Sequence, residues 1–339
     1  MTPAPLALAA ALLGAAAPAA AETVNVYSAR HDSLIEPLLE RFTEETGIEV
    51  GLITGSSDAM IKRLEVEGRN SPADVLITVD AARLHRAEES GLFQPVRSEA
   101  LGEALAPHLQ DDEDLWFGLS MRARVIAFSR ERVERSELST YEALAEPKWD
   151  GRICIRSSDN VYNQSLLASL VAAHGVEQAE DWARGIVENM ARPPQGGDTD
   201  QIEALAAGIC DVAVVNTYYY ARMLESDDPG VRAVADEVGL FFPNQDGRGA
   251  HVNVTGAGVL EHAPNRDNAV RLLEYLVTPE AQRWLARVNH EYPVRPGIEV
   301  SDTVRQLGRY PFKQDRVSLG RIGELNAEAV RIFDRVDWR

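Results

Sequence analysis

Short apolar, β-rich runs alternate with segments of helical period along most of this chain, and that alternation constrains its fold more than any other feature. Thr23–Tyr27 (TVNVY) opens the pattern as a strand. Leu34, Ile35, Leu38, Leu39 and Phe42 then recur at helical spacing behind Asp32 and Ser33, either of which can cap the helix. Gly47 ends that helix where a left-handed residue is wanted. Ile48–Ile53 is the second strand, Ser56-Ser57-Asp58 caps a helix over Ala59–Glu67, Ala73–Thr78 is the third strand, and Ala81–Ser90 is helical. Such a β-α-β-α-β unit folds with right-handed crossovers into a parallel sheet covered on both faces.

The pattern restarts after Pro147. Arg152–Arg156 reads as a strand, Val161–His174 and Glu177–Asn189 as helices, Asp200–Ala207 as a short helix, and Ile209–Val215 as a strand. Val252–Leu260 is strand-like again, and Arg266–Val277 and Pro279–Val288 are helical. A second α/β domain therefore begins near residue 125. At 339 residues the chain exceeds the size at which one core keeps growing, roughly 250–300 residues. Two such units fit a two-lobed clamp, each lobe a mostly parallel sheet flanked by helices, with ligand held in the cleft at the carboxyl ends of strands.

Charge and punctuation narrow the setting. The chain carries 53 acidic and 34 basic side chains, a formal net charge of −19, which argues against nucleic acid as a partner. Residues 1–21 (MTPAPLALAAALLGAAAPAAA) contain no charged side chain and end in small residues, the pattern of an export signal cleaved after Ala21. Their apolar core is too short to span a bilayer comfortably, so a soluble, extracytoplasmic mature protein is expected. The two cysteines, Cys154 and Cys210, each sit in an apolar run; in an oxidising compartment they pair, and as buried free thiols they are equally ordinary.

Several runs read in order resemble the periplasmic ferric-iron-binding proteins of ABC importers, among the type II solute-binding proteins. They are VNVYSARH (24–31), TGSSD (54–58), SPADVLITVD (71–80), WFGLSMRARV (116–125) and RSSDNVYNQSL (156–166). GGDTDQIEALAAGICDVAVVNTYYYAR (196–222), HVNVTGAGVLEHAPNRDNA (251–269) and NHEYPV (289–294) follow. The resemblance covers nearly the whole mature chain. It implies that the chain crosses between lobes twice, with lobe one at 23–120 plus 241–295 and lobe two at 121–240 plus 296–339. It also implies a periplasmic, monomeric protein that captures Fe(III) and delivers it to an inner-membrane permease and its ATPase.

The residues carried by that resemblance suit the chemistry. Fe(III) is a hard cation that favours anionic oxygen, and a trivalent ion can displace the proton of a phenol whose ordinary pKa is about 10. The implied ligands are Tyr162, Tyr218 and Tyr219, with His31 from the other lobe. Adjacent tyrosines on a strand would face opposite ways. Here Val215 ends the strand and Asn216-Thr217 reads as a helix start, placing Tyr218 and Tyr219 about 100° apart in the first turn. Tyr220 is expected to be spare, and Tyr27 to face the core. His85, His108, His174 and His262 are expected at the surface.

The family implies an arginine supporting an anion, such as carbonate, from S-M-R-A-R-V. Of Arg122 and Arg124 only one is expected to face the cleft, and Arg122 is the choice; a hinge salt bridge is its ordinary alternative. Two departures stand out. One branch of the family has a glutamate after the third strand, where this chain has Thr78-Val79-Asp80. Another has tyrosine after the first-loop histidine, where Asp32 stands, and Asp32 is open to coordinating, holding a water or capping. The same fold binding an organic or inorganic anion or a polyamine is the alternative function. No G-x-S-x-G elbow, Walker loop or H-E-x-x-H run marks the chain as an enzyme.

Overall fold

A computed structural model describes residues 22–339; the segment read as an export signal lies outside the described residues. The described residues form eight strands: β1 (Thr23–Ser28), β2 (Glu49–Thr54), β3 (Val75–Val79), β4 (Phe117–Ser129), β5 (Ile153–Cys154), β6 (Val212–Asn216), β7 (Val238–Phe241) and β8 (Val252–Val259). β1 pairs in parallel with β2 and β3, as the opening β-α-β-α-β pattern requires. Gly47 closes the helix Glu36–Thr46 in the left-handed region, at φ 74°, and Ser56 caps Ser57–Glu67 by accepting from the Ala59 amide. The start of the first helix differs from expectation. Asp32–Leu34 form a 3₁₀ turn, the α-helix begins at Glu36, and neither Asp32 nor Ser33 caps it.

β4 organises everything else. Its thirteen residues are all buried, and its two halves join different partners. Phe117–Ala123 run antiparallel to β8, which in turn pairs antiparallel with β3. From Arg124 to Phe128 the same strand runs antiparallel to β6, and β6 pairs in parallel with β5. β7 also pairs with the second half of β4. Both sheets are therefore mixed rather than mostly parallel, because the strands that connect them return in the opposite sense. Periodicity identifies such strands but not their direction.

The chain returns from β7 to β8 through residues 242–251, beside the middle of β4: the Arg124 amide donates to the His251 carbonyl at 3.0 Å. Gly249 has φ 100°, and a Cβ there would lie 2.5 Å from the Gln314 carbonyl carbon, so only glycine fits this crossing. The helix Leu319–Glu324 packs on both Ala81–Glu89 and Val161–His174, and Gly323 lies against His85. His85 and His108 are half-buried, in contrast to the surface positions expected, while His174 and His262 are exposed. Tyr27 is 1% exposed, and its hydroxyl donates to Glu67 at 3.1 Å. Among the described residues no helix is long and apolar enough to cross a membrane.

Cys154 at the end of β5 and Cys210 just before β6 form a disulfide with Cα atoms 5.8 Å apart, which settles the open pairing. The crosslink spans 56 residues, including the helices that precede β6. Replacing both cysteines by serine should cost about 2–4 kcal/mol of unfolding free energy, since the open chain regains loop entropy. Urea unfolding of the purified protein reads this directly; an unchanged midpoint would show that the thiols are not joined.

Candidate metal centre

The tyrosine run sits at a strand-to-helix joint. β6 is buried throughout, Asn216 stays extended (φ −83°, ψ 142°), and Thr217 begins the helix Thr217–Leu224. Tyr218 and Tyr219 thus fall in the first helical turn, as expected from the sequence. Their rings stack with centroids 4.4 Å apart. Tyr220 turns away: its buried hydroxyl is shared between the carbonyls of Ala235 and Val238, at 3.0 and 2.8 Å. It is spare with respect to the cavity and pins the helix to its neighbour.

Tyr162 arrives from the first turn of the helix Val161–His174. The Tyr218 hydroxyl donates to the Tyr162 oxygen at 3.2 Å, so phenol oxygens from two elements converge. A cavity of about 160 Å³ opens beside them, lined by Tyr162, Tyr218 and Tyr219 on one side and by Ala29, Arg30 and His31 on the other. His31 is exposed on the short segment after β1. Asp32 is exposed and does not line the cavity. The 3₁₀ turn that replaces the expected helix start carries it off the wall, so of the five candidate ligands the structure brings together four.

Arg122 and Arg124 flank the point where β4 changes partners. Residues two apart on a strand share a face, and both guanidinium groups lie over the Tyr162 ring, at 5.2 and 5.8 Å from its centroid. Arg122 is the one that lines the cavity. It is 2% exposed, its Nε and Nη2 have no hydrogen-bond partner, and Asp80 stands 3.7 Å away. Burial by itself lowers the Arg122 pKa, but Tyr162, Asp80, Tyr218 and Glu291 outweigh it and raise the value.

Two wall residues carry no signal in the sequence beyond lying in matched runs. Glu291, 4% exposed, lines the cavity beneath Arg30, whose Nη1 is 3.0 Å from its carboxylate. Burial pushes the Glu291 pKa up, but Arg30, Arg122 and a hydrogen bond from Ser120 bring it below the usual carboxylate range. The phenols behave oppositely. Burial, then the neighbouring Tyr162 and Tyr219, hold the Tyr218 pKa well above its ordinary value; burial and Tyr162 also raise Tyr219. Without metal these hydroxyls keep their protons.

Among the described residues, no group of three or more His, Cys, Asp or Glu side chains could hold a metal ion.

Comparison with known proteins gives a consistent picture. The chain is similar to iron uptake protein A1 of Synechocystis sp., 51% identical over 322 residues that make up 95% of this chain and 89% of that protein. It is also similar to the solved structure of Trichodesmium IdiA (FutA) in complex with iron and citrate ligands. That likeness has a TM-score of 0.91 at 51% identity and covers 94% of this chain and 100% of that one. A ferric binding protein from Campylobacter jejuni superimposes with a TM-score of 0.86 at 39% identity, covering 93% of this chain and 100% of that one. These likenesses bear out the two-lobed, type II α/β architecture. The pattern of the bacterial extracellular solute-binding proteins matches residues 70–311, and the chain belongs to that family.

Proposed function

We propose that this protein is the periplasmic binding component of an ABC importer. In this reading it captures Fe(III) through Tyr162, Tyr218, Tyr219 and His31 and hands it to an inner-membrane permease driven by an ATPase. Residues 1–21 direct its export, and the protein acts as a monomer. The observation that carries the reading is the convergence of three phenols and an imidazole on one small cavity. The relatives named above, described as iron uptake and ferric binding proteins, support it.

Charge accounts for the remaining coordination. The cavity wall includes three guanidinium groups, Arg30, Arg122 and Arg222; Glu291 pairs with Arg30 and the buried Asp80 stands 3.7 Å from Arg122, which leaves Arg222 as surplus positive charge. Three phenolates neutralise Fe(III), which leaves that surplus in place. A small anion such as carbonate, or a carboxylate of citrate, would meet it and would find in Arg122 a donor whose Nε has no hydrogen-bond partner. The Trichodesmium relative, solved with iron and citrate, is consistent with such a partner. The same surplus repels a polyamine. Asp32 is not among the proposed ligands. The lobes themselves, 23–120 plus 241–295 and 121–240 plus 296–339, would close about the metal. The change of β4 partners at Ala123–Arg124 supports the first boundary, while the helix Leu319–Glu324 touches elements of both lobes.

Iron-loaded protein should show a visible phenolate-to-Fe(III) charge-transfer band. Tyr218→Phe and Tyr219→Phe should each weaken and shift it and lower affinity by at least about tenfold, the loss of one ionic ligand. Colourless loaded protein would reject the tyrosinate site.

Affinity should also depend steeply on acidity. The raised pKa values of Tyr218 and Tyr219 mean that the metal-free protein keeps both protons throughout the neutral range, whereas loading expels them. Protons therefore compete with iron, and affinity rises with pH. Each proton released contributes about tenfold per pH unit, so between about pH 5 and 8 two phenols alone give a steep dependence. Competition titrations against citrate, corrected for citrate's own protonation, measure the slope; a flat profile would contradict phenolate ligation.

A further inference from the structure

Behind the tyrosines lies a buried carboxylate that no ligand assignment uses. Asp198 is the first residue of the helix Asp198–Ala206 and is 0% exposed. Its Oδ2 accepts from Arg124 Nη1 at 2.9 Å and from the Asn216 backbone amide at 2.7 Å. Its Oδ1 accepts from Arg156 Nη1 at 3.3 Å. Arg124 also donates through Nη2 to the Asn163 side-chain oxygen at 2.7 Å, and Asn163 in turn donates to the carbonyls of Arg156 and Ser157.

Each partner of this carboxylate leads to a proposed ligand. Asn216 is the residue from which the Tyr218–Tyr219 turn departs. Asn163 is the neighbour of Tyr162 in the helix Val161–His174. Arg124 and Arg156 both lie over the Tyr162 ring, at 5.8 and 5.7 Å from its centroid. Arg124 is moreover the β4 residue opposite Asn216, at the point where that strand changes sheets. Burying a carboxylate is costly unless it is fully paired. Here its partners are the Asn216 amide, at the start of the Tyr218–Tyr219 turn, and two guanidinium groups that lie over the Tyr162 ring.

We infer that Asp198 is a positioning residue. It locks the joint bearing Tyr218 and Tyr219 to Arg124 and Arg156, and so sets the separation between that pair and Tyr162 without touching the metal. The inference rests on the tyrosinate reading above. Without the carboxylate, Arg124 loses its ionic partner and the Asn216 amide loses a charged acceptor, so the two tyrosine-bearing segments rely on uncharged acceptors, among them the Asn216 side-chain oxygen 3.4 Å from Arg124 Nη1, the Asn163 side-chain oxygen and the Tyr218–Tyr162 bond.

The test uses full-length mature protein loaded with Fe(III) supplied as its citrate complex. Asp198→Asn should keep the far-ultraviolet circular dichroism of the parent, shift and weaken the charge-transfer band, and lower affinity by about tenfold or more. In a Tyr162→Phe background the same substitution should cost less than about threefold, because the spacing it protects no longer matters. Asp198→Glu keeps the charge on a longer arm and should shift the band in the same direction with a smaller loss. It serves as the test if Asp198→Asn does not fold. A band and affinity matching the parent in a folded Asp198 variant would overturn the inference, as would full additivity with Tyr162→Phe. A parent protein without any band would instead overturn the tyrosinate reading, and the positioning role with it.

Discussion

Strand β4 belongs to two sheets at once, and the placement of every wall of the cavity follows from that sharing. Its first half hydrogen-bonds to β8, which fixes β3 and, through it, β1 and the segment carrying Arg30 and His31. Its second half hydrogen-bonds to β6, from whose end the tyrosine turn departs. The side chains of Arg122 and Arg124 emerge on the same face at the point where the partners change, so both guanidinium groups reach the Tyr162 ring. A shift of one residue in either half would turn these groups to the opposite face. The fully buried thirteen-residue run resists such a shift, because it would exchange apolar for charged side chains in the core.

The cavity is built around protonated phenols beside permanently charged guanidinium groups. That combination is stable while empty, since a neutral phenol can stack and hydrogen-bond without a buried charge needing a partner. Glu291 is the wall's one carboxylate, and it is already engaged by Arg30 and Ser120. Its charge balances the arginines rather than standing ready for a metal. Tyr220, only one position beyond the pair, shows how much the backbone joint matters. The same residue type in the same turn becomes a structural anchor once its hydroxyl meets the carbonyls of Ala235 and Val238.

The tyrosine pair was legible in the chain because its geometry is local. A strand ending at Val215, a break at Asn216 and Thr217, and the 100° step of a helix place Tyr218 and Tyr219 without any distant contact. Most helices were readable for the same reason, and Val161–His174 was bounded correctly at both ends. What escaped depends on separation in sequence. Arg30 and Glu291 meet across 261 positions, and Arg124 and Asp198 across 74, distances over which no periodicity speaks. The start of the first helix was misread for a subtler reason. Asp32 and Ser33 have the residue types of a cap, but the chain inserts a 3₁₀ turn before Pro37 and Glu36 begin the helix, so neither side chain meets a free amide. The antiparallel sense of β4 and β8 was hidden because a buried strand looks alike in either direction.

If the phenols ligate iron as proposed, the contrast between surface and cavity supplies a physical basis for selecting it. An overall charge of −19 attracts cations of every kind toward the protein. The cavity does the reverse, because its guanidinium groups outnumber its carboxylate until phenols ionise. A divalent ion acidifies a phenol less than a trivalent one and so competes less well with protons held above their ordinary pKa by burial. A trivalent hard ion acidifies the phenols strongly enough to create its own counter-charge, after which the arginines oppose the phenolates' charge and not the metal's. Discrimination on this account lies in the proton inventory of the empty site. Substituting a carboxylate for one of the tyrosines would supply negative charge before any metal arrived and would relax the preference toward divalent ions.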